Sequence, residues 1–424
     1  MIKHLRFSQF VSLLRKGQKH YLYNSINGGL ITISEEIVHC IQQRGKDLFY
    51  VCEKEDDFFT YLHDNRYIAD EIYDKDVINV LRYRKLKASF QSQRLSFVIA
   101  PTLFCNFKCP YCYEKNLPHN IMKEAIQDLL IDFISQRQND YKELEICWHG
   151  GEPTMALSAI ERILRLIHEK IKIPLVQHSM VTNGYAISDT FISLFKKYPL
   201  NGIQITVDGD RTTHNESRIS KSGEKTYDKI IENIDRLSVE LPNTQLRIRM
   251  NVHKNNAEQF FLFYQELNNH WRGKNIYLYP AFVAENENCS VACFNSIEKT
   301  VFLSKVYEKL GLKYKDADLN LKCGLCTAHY VNSWIVDPNG LLYKCWVDVG
   351  QKNRAVGDLH KGVTNLSLFC KYIIGTDKFS DERCLECKLL PICNGGCSRY
   401  RFGDDYKTTD QCPLNESEII NFMV

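Results

Sequence analysis

Apolar residues in the middle of the chain fall into six short β-rich runs. In chain order they read LSFVIAPT, LEICWHGG, LVQHSMVTNG, GIQITVDG, LRIRMNV and NIYLYPAFV. Helical patterns such as MKEAIQDLLIDFISQ and AIERILRLIHEKI lie between most of them. This alternation predicts an α/β domain over residues 96–283, with a parallel sheet that is either open or curled into part of a barrel. Polar and Gly-bearing motifs end several runs, where such folds bind ligands.

The pattern is different in residues 1–95. The stretch YLYNSINGGLITIS, residues 21–34, has two β-rich runs around Asn-Gly-Gly and predicts a hairpin. Ser34 then precedes two glutamates and IVHCIQQ, which predicts a helix with an N-cap and an acidic first turn. A second helical pattern, DKDVINVLRYRKL, closes the segment. A hairpin with several helices suggests a small winged-helix-like module.

The last third of the chain is short of apolar runs. Residues 284–322 read as a linker with one helix, SIEKTVFLSKVYEKL, and residues 323–424 are turn-rich and full of cysteine. The core of such a segment would be poor without metal.

Composition narrows the class of protein. The 424 residues carry a net charge of +3, which argues against binding to nucleic acid or to an anionic membrane surface. The N-terminal stretch has no signal-peptide pattern, and the chain has no 18-residue apolar span, so a cytoplasmic location is expected. There are 17 cysteines, and intracellular clusters of cysteine are more often metal ligands than disulfides.

Three cysteines stand close together directly after the first β-rich run, in PTLFCNFKCPYCYEKN. Cys105, Cys109 and Cys112 have no fourth cysteine or histidine nearby in sequence. One interpretation is a redox or zinc site whose fourth ligand is remote. The other is a [4Fe–4S] cluster with one iron left open to a ligand that is not protein.

The CxxxCxxC loop in this strand context, with Tyr111 before the last cysteine, resembles the signature of radical S-adenosylmethionine (SAM) enzymes. That resemblance implies a partial (β/α)6 TIM-like barrel and a cluster whose fourth iron is chelated by SAM. It also implies cleavage of SAM to methionine and a 5′-deoxyadenosyl radical, which abstracts a hydrogen atom from the substrate, and an external electron donor of the flavodoxin or ferredoxin type.

Other strand-end motifs match the same family. By resemblance, the GGEP turn would hold the SAM amino group, and polar residues at later strand ends would contact the ribose, adenine and carboxylate. A cationic Arg suits a carboxylate, and an amide or hydroxyl suits ribose hydroxyls. The implied SAM-binding residues are Tyr111, Gly150, Gly151, Glu152, Asn183, Asp208, Thr226 and Arg249.

The C-terminal cysteines resemble the seven-cysteine SPASM pattern, in which two auxiliary [4Fe–4S] clusters are bound. The hairpin-like VDPNGLLYKC lies within it. Adding Cys323 gives eight ligands. The family's interleaved pattern implies Cys323, Cys326, Cys345 and Cys397 for auxiliary cluster I, and Cys384, Cys387, Cys393 and Cys412 for auxiliary cluster II. Two zinc sites would show the same spacing.

The resemblance implies SAM, three [4Fe–4S] clusters and a peptide or protein substrate. The first hypothesis is a peptide maturase that forms a thioether or carbon–carbon cross-link, with residues 1–95 gripping the leader of a ribosomally made precursor peptide. The alternative is an anaerobic sulfatase maturase, which makes formylglycine. Those enzymes carry an acidic residue, expected to act as the general base, directly after the cysteine that matches Cys345. This chain has Trp346 there, so the general base is unassigned, and the nearest carboxylate, Asp348, is the one catalytic candidate. A more distant alternative is a metal-stapled binding protein without catalysis.

Overall fold

The fold is described from a computed structural model of the chain. It describes residues 5–44, 56–91, 93–114, 117–283, 289–310 and 326–402, with residues 412, 414, 416, 419 and 420. The chain divides into two compact units. One comprises Met1–Phe90, Asn295–His329 and Tyr372–Val424, and the other comprises Gln91–Phe294 and Tyr330–Lys371.

The second unit is built on a ten-stranded sheet. Its first six strands are parallel and neighbour one another in chain order: β6 (Arg94–Ile99), β7 (Glu143–Trp148), β8 (Leu175–Thr182), β9 (Gly202–Thr206), β10 (Gln245–Val252) and β11 (Ile276–Phe282). An order without reversal is that of a (β/α) barrel, not of a doubly wound sheet. The predicted α/β class and its six parallel strands are confirmed.

Helices connect these strands. They are α4 (Glu124–Arg137), α5 (Leu157–Lys170), α6 (Asp189–Lys197), α7 (Arg211–Ser217), α8 (Tyr227–Glu240) and α9 (Gln259–His270). Strand residues alternate between the two faces of the sheet. In β7, Leu144, Ile146 and Trp148 are fully buried, whereas Cys147 faces the other way and packs with Val98.

The sheet continues past β6 with a hairpin that the sequence placed among the C-terminal cysteines. β12 (Ser333–Val336) pairs in parallel with β6, and β13 (Leu341–Tyr343), β14 (Gly357–Asp358) and β15 (Gly362–Val363) follow in antiparallel order. Gly340 takes the positive φ of +81° that the predicted Asn-Gly turn requires. The helix α11 (Leu366–Ile374) spans the boundary between the two units.

The first unit contains a three-stranded antiparallel meander. It consists of β2 (Val11–Lys16), β3 (Lys19–Asn24) and β4 (Gly29–Ile33), and a short ladder joins β1 (Arg6–Phe7) to β5 (Ile68–Ala69). The helices of this unit are α1 (Glu35–Arg44), α2 (Asp56–Asp64), α3 (Glu71–Phe90), α10 (Ser296–Leu310) and α12 (Glu382–Leu385). The predicted cap is present, since the Ile37 N–H donates to Ser34 Oγ at 3.4 Å.

The N-terminal and C-terminal segments share this unit's core. Leu14, Tyr21 and Tyr23 pack with Leu389, Ile419 and Ile420. A buried ion pair joins Lys85 Nζ of α3 to Asp377 Oδ2 at 2.6 Å. Packing thus places the two ends of the chain in one unit. The domain boundaries therefore remain predictions from the sequence, with divisions at residues 1–95, 96–283, 284–322 and 323–424.

No helix in the described part of the chain is both long and apolar enough to span a membrane.

Candidate functional site

The site begins in the loop after β6, which carries the first three cysteines. This loop is held against residues 219–221 by backbone hydrogen bonds. The Lys108 N–H donates to the Ile219 carbonyl, and the Lys221 N–H donates to the Asn106 carbonyl, both at 2.8 Å. The loop is thereby fixed at the C-terminal end of the sheet, where parallel folds bind ligands.

The three thiols lie in one buried environment. Burial raises the pKa of Cys105 and of Cys112 to about 12, and it raises the pKa of Cys109 as well. The charges of Cys109 and Cys112 also raise the pKa of Cys105, so the three sulfurs are near enough to interact. Among the described residues, no three Cys, His, Asp or Glu side chains are arranged so that they could hold a metal ion. Three mutually close thiols nevertheless suit iron, which would supply the charge that stabilises thiolates.

The Gly150-Gly151 turn after β7 packs directly on this loop. Gly150 has a φ of +115°, and a Cβ atom there would lie 2.3 Å from the Thr102 carbonyl oxygen. A Cβ on Gly151 would lie 2.4 Å from the Phe104 carbonyl oxygen. Glycine is therefore required by the backbone of residues 102–104, a reason that the sequence did not reveal.

The Glu152 carboxylate joins two neighbouring strand ends, those of β7 and β8. One oxygen accepts hydrogen bonds from Thr182 Oγ1 at 2.6 Å, from Thr154 Oγ1 at 2.7 Å and from the Thr154 N–H at 3.1 Å. The other accepts from the Asn183 N–H at 2.6 Å. Glu152 is fully buried, and burial raises its pKa against the effect of these bonds. Its side chain is occupied by protein groups, so it positions the turn and the end of β8.

Asn183 links the end of β8 to the cluster loop. Its Nδ2 donates to Asn106 Oδ1 at 2.7 Å, and its own Oδ1 accepts from the Tyr185 N–H at 2.9 Å.

Tyr111 is the centre of a second hydrogen-bonded group. Its hydroxyl donates to Asp208 Oδ2 and accepts from Arg218 Nη1 and Asn251 Nδ2, each at 3.2 Å. The Asn251 N–H donates to Asp208 Oδ1 at 2.9 Å. Arg249 Nε in turn donates to Asn251 Oδ1 at 2.9 Å. The structure thus brings three predicted residues together with Arg218 and Asn251.

Thr226 is connected to the hydrogen-bonded group around Tyr111 through Arg218 and His214. Its hydroxyl donates to the Arg218 carbonyl at 2.9 Å and lies 3.1 Å from His214 Nε2. His214 Nδ1 accepts from the Asp208 N–H at 3.2 Å, which places the proton of this imidazole on Nε2. Thr226 is fully buried and supports Asp208 through His214.

Arg249 differs from the other predicted residues because part of its guanidinium is available. Its side chain is partly exposed, and only Nε has a hydrogen-bond partner among the described residues. The two terminal nitrogens form the planar fork that suits a carboxylate.

The sequence did not identify four residues at the C-terminal end of the sheet as site residues. They are Tyr113, Glu114, His149 and Trp346, which is a neighbour of His149. His149 Nε2 lies 3.2 Å from the Tyr113 hydroxyl, and the centre of its ring lies 4.6 Å from that of Trp346. Only the position of His149 in the sequence could have indicated a role. It directly precedes Gly150 and lies two residues after Cys147, so it continues the same face of the strand.

His149 and Glu114 are buried side by side. His149 Nδ1 and Glu114 Oε1 are 3.8 Å apart, and both atoms are buried without a hydrogen bond. Burial lowers the pKa of His149 to about 4, and burial raises the pKa of Glu114 to about 8, with Glu152 adding to the second shift. Burial thus disfavours charge on each group. The predicted catalytic candidate Asp348 is also buried. Burial raises the pKa of Tyr343, and the charges of Asp337 and Asp348 raise it further.

The first unit holds a second set of thiols. Burial raises the pKa of Cys384, Cys387 and Cys393, and the charge of Cys412 raises the pKa of Cys384 and Cys387 further. The charges of Cys384 and Cys387 also raise the pKa of Cys393. Backbone N–H groups point at two of the sulfurs: the Leu389 N–H lies 3.4 Å from Cys387 Sγ, and the Gly395 N–H lies 3.3 Å from Cys393 Sγ. Clustered cysteines with N–H donors to sulfur fit an iron–sulfur cluster.

The cysteines predicted to bind auxiliary cluster I do not all belong to the same unit. Cys326 and Cys397 are exposed in the first unit, and Cys345 follows β13 in the second. Cys323 lies outside the described residues. The four-cysteine assignment for auxiliary cluster I remains a prediction.

Comparisons with known proteins identify the class. Residues 99–265 match the radical SAM superfamily. The chain is 24% identical over 343 residues to the serine-type anaerobic sulfatase-maturating enzyme of Bacteroides thetaiotaomicron, an alignment that covers 70% of this chain and 81% of that enzyme. It is 22% identical over 443 residues to the radical SAM cyclopropyl synthase TigE of Paramaledivibacter caminithermalis, covering 93% of this chain and 90% of TigE.

A solved structure has a similar fold over nearly the whole chain. SuiB of Streptococcus suis bound to its precursor peptide SuiA superposes with a TM-score of 0.54 at 16% identity, covering 96% of this chain and all of SuiB. Residues 99–265 therefore form a radical SAM domain, as the resemblance predicted. This class implies SAM and one [4Fe–4S] cluster as cofactors. The family match does not extend to the C-terminal cysteines.

Proposed function

We propose that this enzyme is a peptide maturase that forms a thioether or carbon–carbon cross-link in a ribosomally made precursor peptide. The observation that supports this proposal is the share of the chain over which each relative is similar. Similarity to TigE and to peptide-bound SuiB extends over 93% and 96% of the chain, whereas similarity to the sulfatase-maturating enzyme stops at 70%. A precursor is a natural substrate for a chain with 90 residues ahead of its barrel.

The N-terminal module offers two features suited to a leader peptide. β2 and β4 are the outer strands of the meander, and an extended peptide can add to such an edge. The helix α3 buries Leu81 but exposes Val80, Tyr83 and Phe90, which recur at helical spacing on its outer face. An apolar leader segment would cover this face. The winged-helix-like description and the boundary at residue 95 belong to this proposal.

In the barrel, SAM bound at a [4Fe–4S] cluster would supply a 5′-deoxyadenosyl radical, with the electron coming from an external donor of the flavodoxin or ferredoxin type. Cys105, Cys109 and Cys112 would hold the cluster. Arg249 has the free guanidinium fork for the carboxylate of SAM. The turn at Gly150 and Gly151 would receive the amino group, while Glu152 keeps that turn in place.

The remaining cysteines would hold two auxiliary [4Fe–4S] clusters, with the ligand sets that the family pattern implies. An auxiliary cluster can accept the electron that a substrate radical gives up when a cross-link closes. In the first unit, Cys384, Cys387, Cys393 and Cys412 have the clustering and the N–H donors for this role.

One observation bears on the alternative of a sulfatase maturase. The chain is similar to a serine-type enzyme of that class, but it has Trp346 where the resemblance to that class implies an acidic residue. Its indole packs on His149 and supplies no proton acceptor. Asp348 is the nearest carboxylate in sequence and is buried. The proposal therefore favours a substrate other than a sulfatase.

The test uses the full chain, reconstituted anaerobically with iron and sulfide and supplied with SAM and dithionite. One reaction contains a synthetic peptide with the sequence of the small open reading frame beside the gene. The other contains a sulfatase peptide with its target Cys or Ser. Loss of two hydrogen atoms from the precursor, with a fragment gap between the joined residues in tandem mass spectrometry, supports the proposal. An unchanged precursor and a hydrazide-reactive aldehyde in the sulfatase peptide would reject it.

A further inference from the structure

A buried arginine lies against one of the C-terminal cysteines. The Arg401 side chain is only 10% exposed, and its Nη2 donates to Cys384 Sγ at 3.3 Å and to the Gly395 carbonyl at 2.7 Å. Its Nη1 donates to the Asp381 carboxylate. Both terminal nitrogens thus donate to partners inside the first unit.

The Asp381 carboxylate positions both partners of the contact between Arg401 and the Cys384 sulfur. Asp381, whose side chain is 4% exposed, precedes α12 and accepts a hydrogen bond from the Arg383 N–H at 3.1 Å. Cys384 lies on that helix. Because Asp381 both caps the helix and holds Arg401, the distance between the guanidinium and the sulfur is set by a rigid frame.

A cation on a cluster ligand has a defined electrostatic effect. A [4Fe–4S] cluster becomes more negative by one charge when it is reduced. A buried positive charge, and a hydrogen bond to a ligand sulfur, stabilise the reduced form and so raise the reduction potential. Lys85 and Lys378 are also buried in this unit, but their Nζ atoms donate to backbone carbonyls, and Lys85 also pairs with Asp377.

We propose that Arg401 is a positioning residue that raises the reduction potential of the cluster held by Cys384, Cys387, Cys393 and Cys412. The inference rests on the proposed iron–sulfur assignment of these four cysteines. It assigns the cluster the role of electron acceptor, since a higher potential favours uptake of one electron from a substrate radical. That electron then leaves to an acceptor of the flavodoxin or ferredoxin type.

The experiment is a redox titration of the reconstituted full chain, monitored by electron paramagnetic resonance. The signal of this cluster is identified as the one lost in Cys393→Ala. Arg401→Gln is expected to lower its midpoint potential by at least 59 mV, the equivalent of a tenfold change in a one-electron equilibrium constant. Arg383→Gln is the matched control, because Arg383 pairs with the same Asp381 carboxylate at 3.0 Å, and it is expected to leave the potential within half of that shift.

An unshifted potential in Arg401→Gln, with the cluster present, would overturn the inference. If Arg401→Gln loses its iron, Arg401→Met decides, because methionine fills a similar apolar volume but carries no charge and donates no hydrogen bond to Cys384. A lower potential in Arg401→Met supports the inference, and the wild-type potential overturns it. Zinc in place of iron at these cysteines in the wild-type protein would overturn the cluster assignment as well, so the two failures are distinguishable.

Discussion

The Tyr111 hydroxyl donates a hydrogen bond to the Asp208 carboxylate, which joins the cysteine loop to the end of β9. The same hydroxyl accepts hydrogen bonds from Arg218 and Asn251. One side chain from the loop therefore organises three groups on the barrel. This explains why a tyrosine, and not only an aromatic ring, stands before Cys112.

Replacing Tyr111 by Phe should remove these three contacts and leave buried polar groups unsatisfied. We expect the free energy of unfolding to fall by about 1–3 kcal/mol. We also expect looser iron binding at the loop, measured as iron lost to a chelator. Tyr185→Phe is the control, since its hydroxyl contacts only the exposed Glu224, and it should cost less than about 0.5 kcal/mol. Equal costs in urea denaturation would contradict the role of Tyr111.

Glu152→Gln separates a positioning role from direct contact with SAM. The carboxylate accepts four hydrogen bonds from protein donors, whereas a glutamine would turn an NH2 group toward some of them. The cluster-free, SAM-free chain should therefore lose at least about 1–3 kcal/mol of stability. Glu224→Gln, at an exposed position, is the control. Full stability of the SAM-free Glu152 variant, with SAM binding alone impaired, would mean that its role is contact with the cofactor.

Acid should destabilise the barrel through His178 of β8. His178 accepts a hydrogen bond from Trp148 Nε1 at 2.7 Å and donates from Nδ1 to the Pro199 carbonyl at 3.0 Å, so it is neutral. Burial lowers its pKa to about 4, below the ordinary value of 6.5. As the pH falls below 6.5, the unfolded chain binds a proton that the folded chain does not, and stability falls by about 1.4 kcal/mol per pH unit.

The contribution of His178 is small above pH 6.5 and grows until the pH reaches about 4. Between pH 6.5 and pH 5, the loss of stability measured by urea denaturation of the metal-free chain should be about 2 kcal/mol smaller in His178→Gln than in the wild type. The loss that remains is expected from other buried histidines such as His149, whose pKa burial also lowers. The exposed His360→Gln variant should keep the wild-type pH dependence. The same slope in the His178 variant would show that another group carries the proton.

The exposed face of α3 should bind the leader peptide. Val80→Glu places a charge on this face, where the wild-type side chain is 47% exposed and can change without disturbing the core. We expect the dissociation constant of the precursor, measured by fluorescence anisotropy, to rise at least about tenfold. Val239→Glu is matched in chemistry and lies on α8 of the barrel unit, with 73% exposure, and it should bind normally. If both variants bind as the wild type does, the leader docks elsewhere.

Much of the barrel was predictable because its evidence is local. Each of the six strands is a short β-rich run that ends in a polar or glycine-bearing turn, and the parallel order follows from the helices between them. The strand β2 was missed, since VSLLRK has no flanking turn signal on its N-terminal side. The shared core of Leu14 and Tyr21 with Leu389 and Ile419 joins positions more than 350 residues apart, which no local pattern reveals.

The candidate site was predictable only in part for the same reason. The cysteines stand out by spacing, but the role of Glu152 depends on Thr182 and Asn183, which belong to another strand end. The His149–Glu114 pair was missed because neither residue is unusual in its own segment. Only the packing of the β7 end against the loop buries both.

Reductive cleavage of SAM tests the central claim most directly. The anaerobically reconstituted chain, supplied with SAM and dithionite, is analysed by liquid chromatography for 5′-deoxyadenosine, with Cys109→Ala as the matched variant. We expect 5′-deoxyadenosine and methionine in equal amounts from the wild-type enzyme and neither product from Cys109→Ala. No 5′-deoxyadenosine from an iron-loaded wild-type enzyme, or undiminished production by the Cys109 variant, would contradict it.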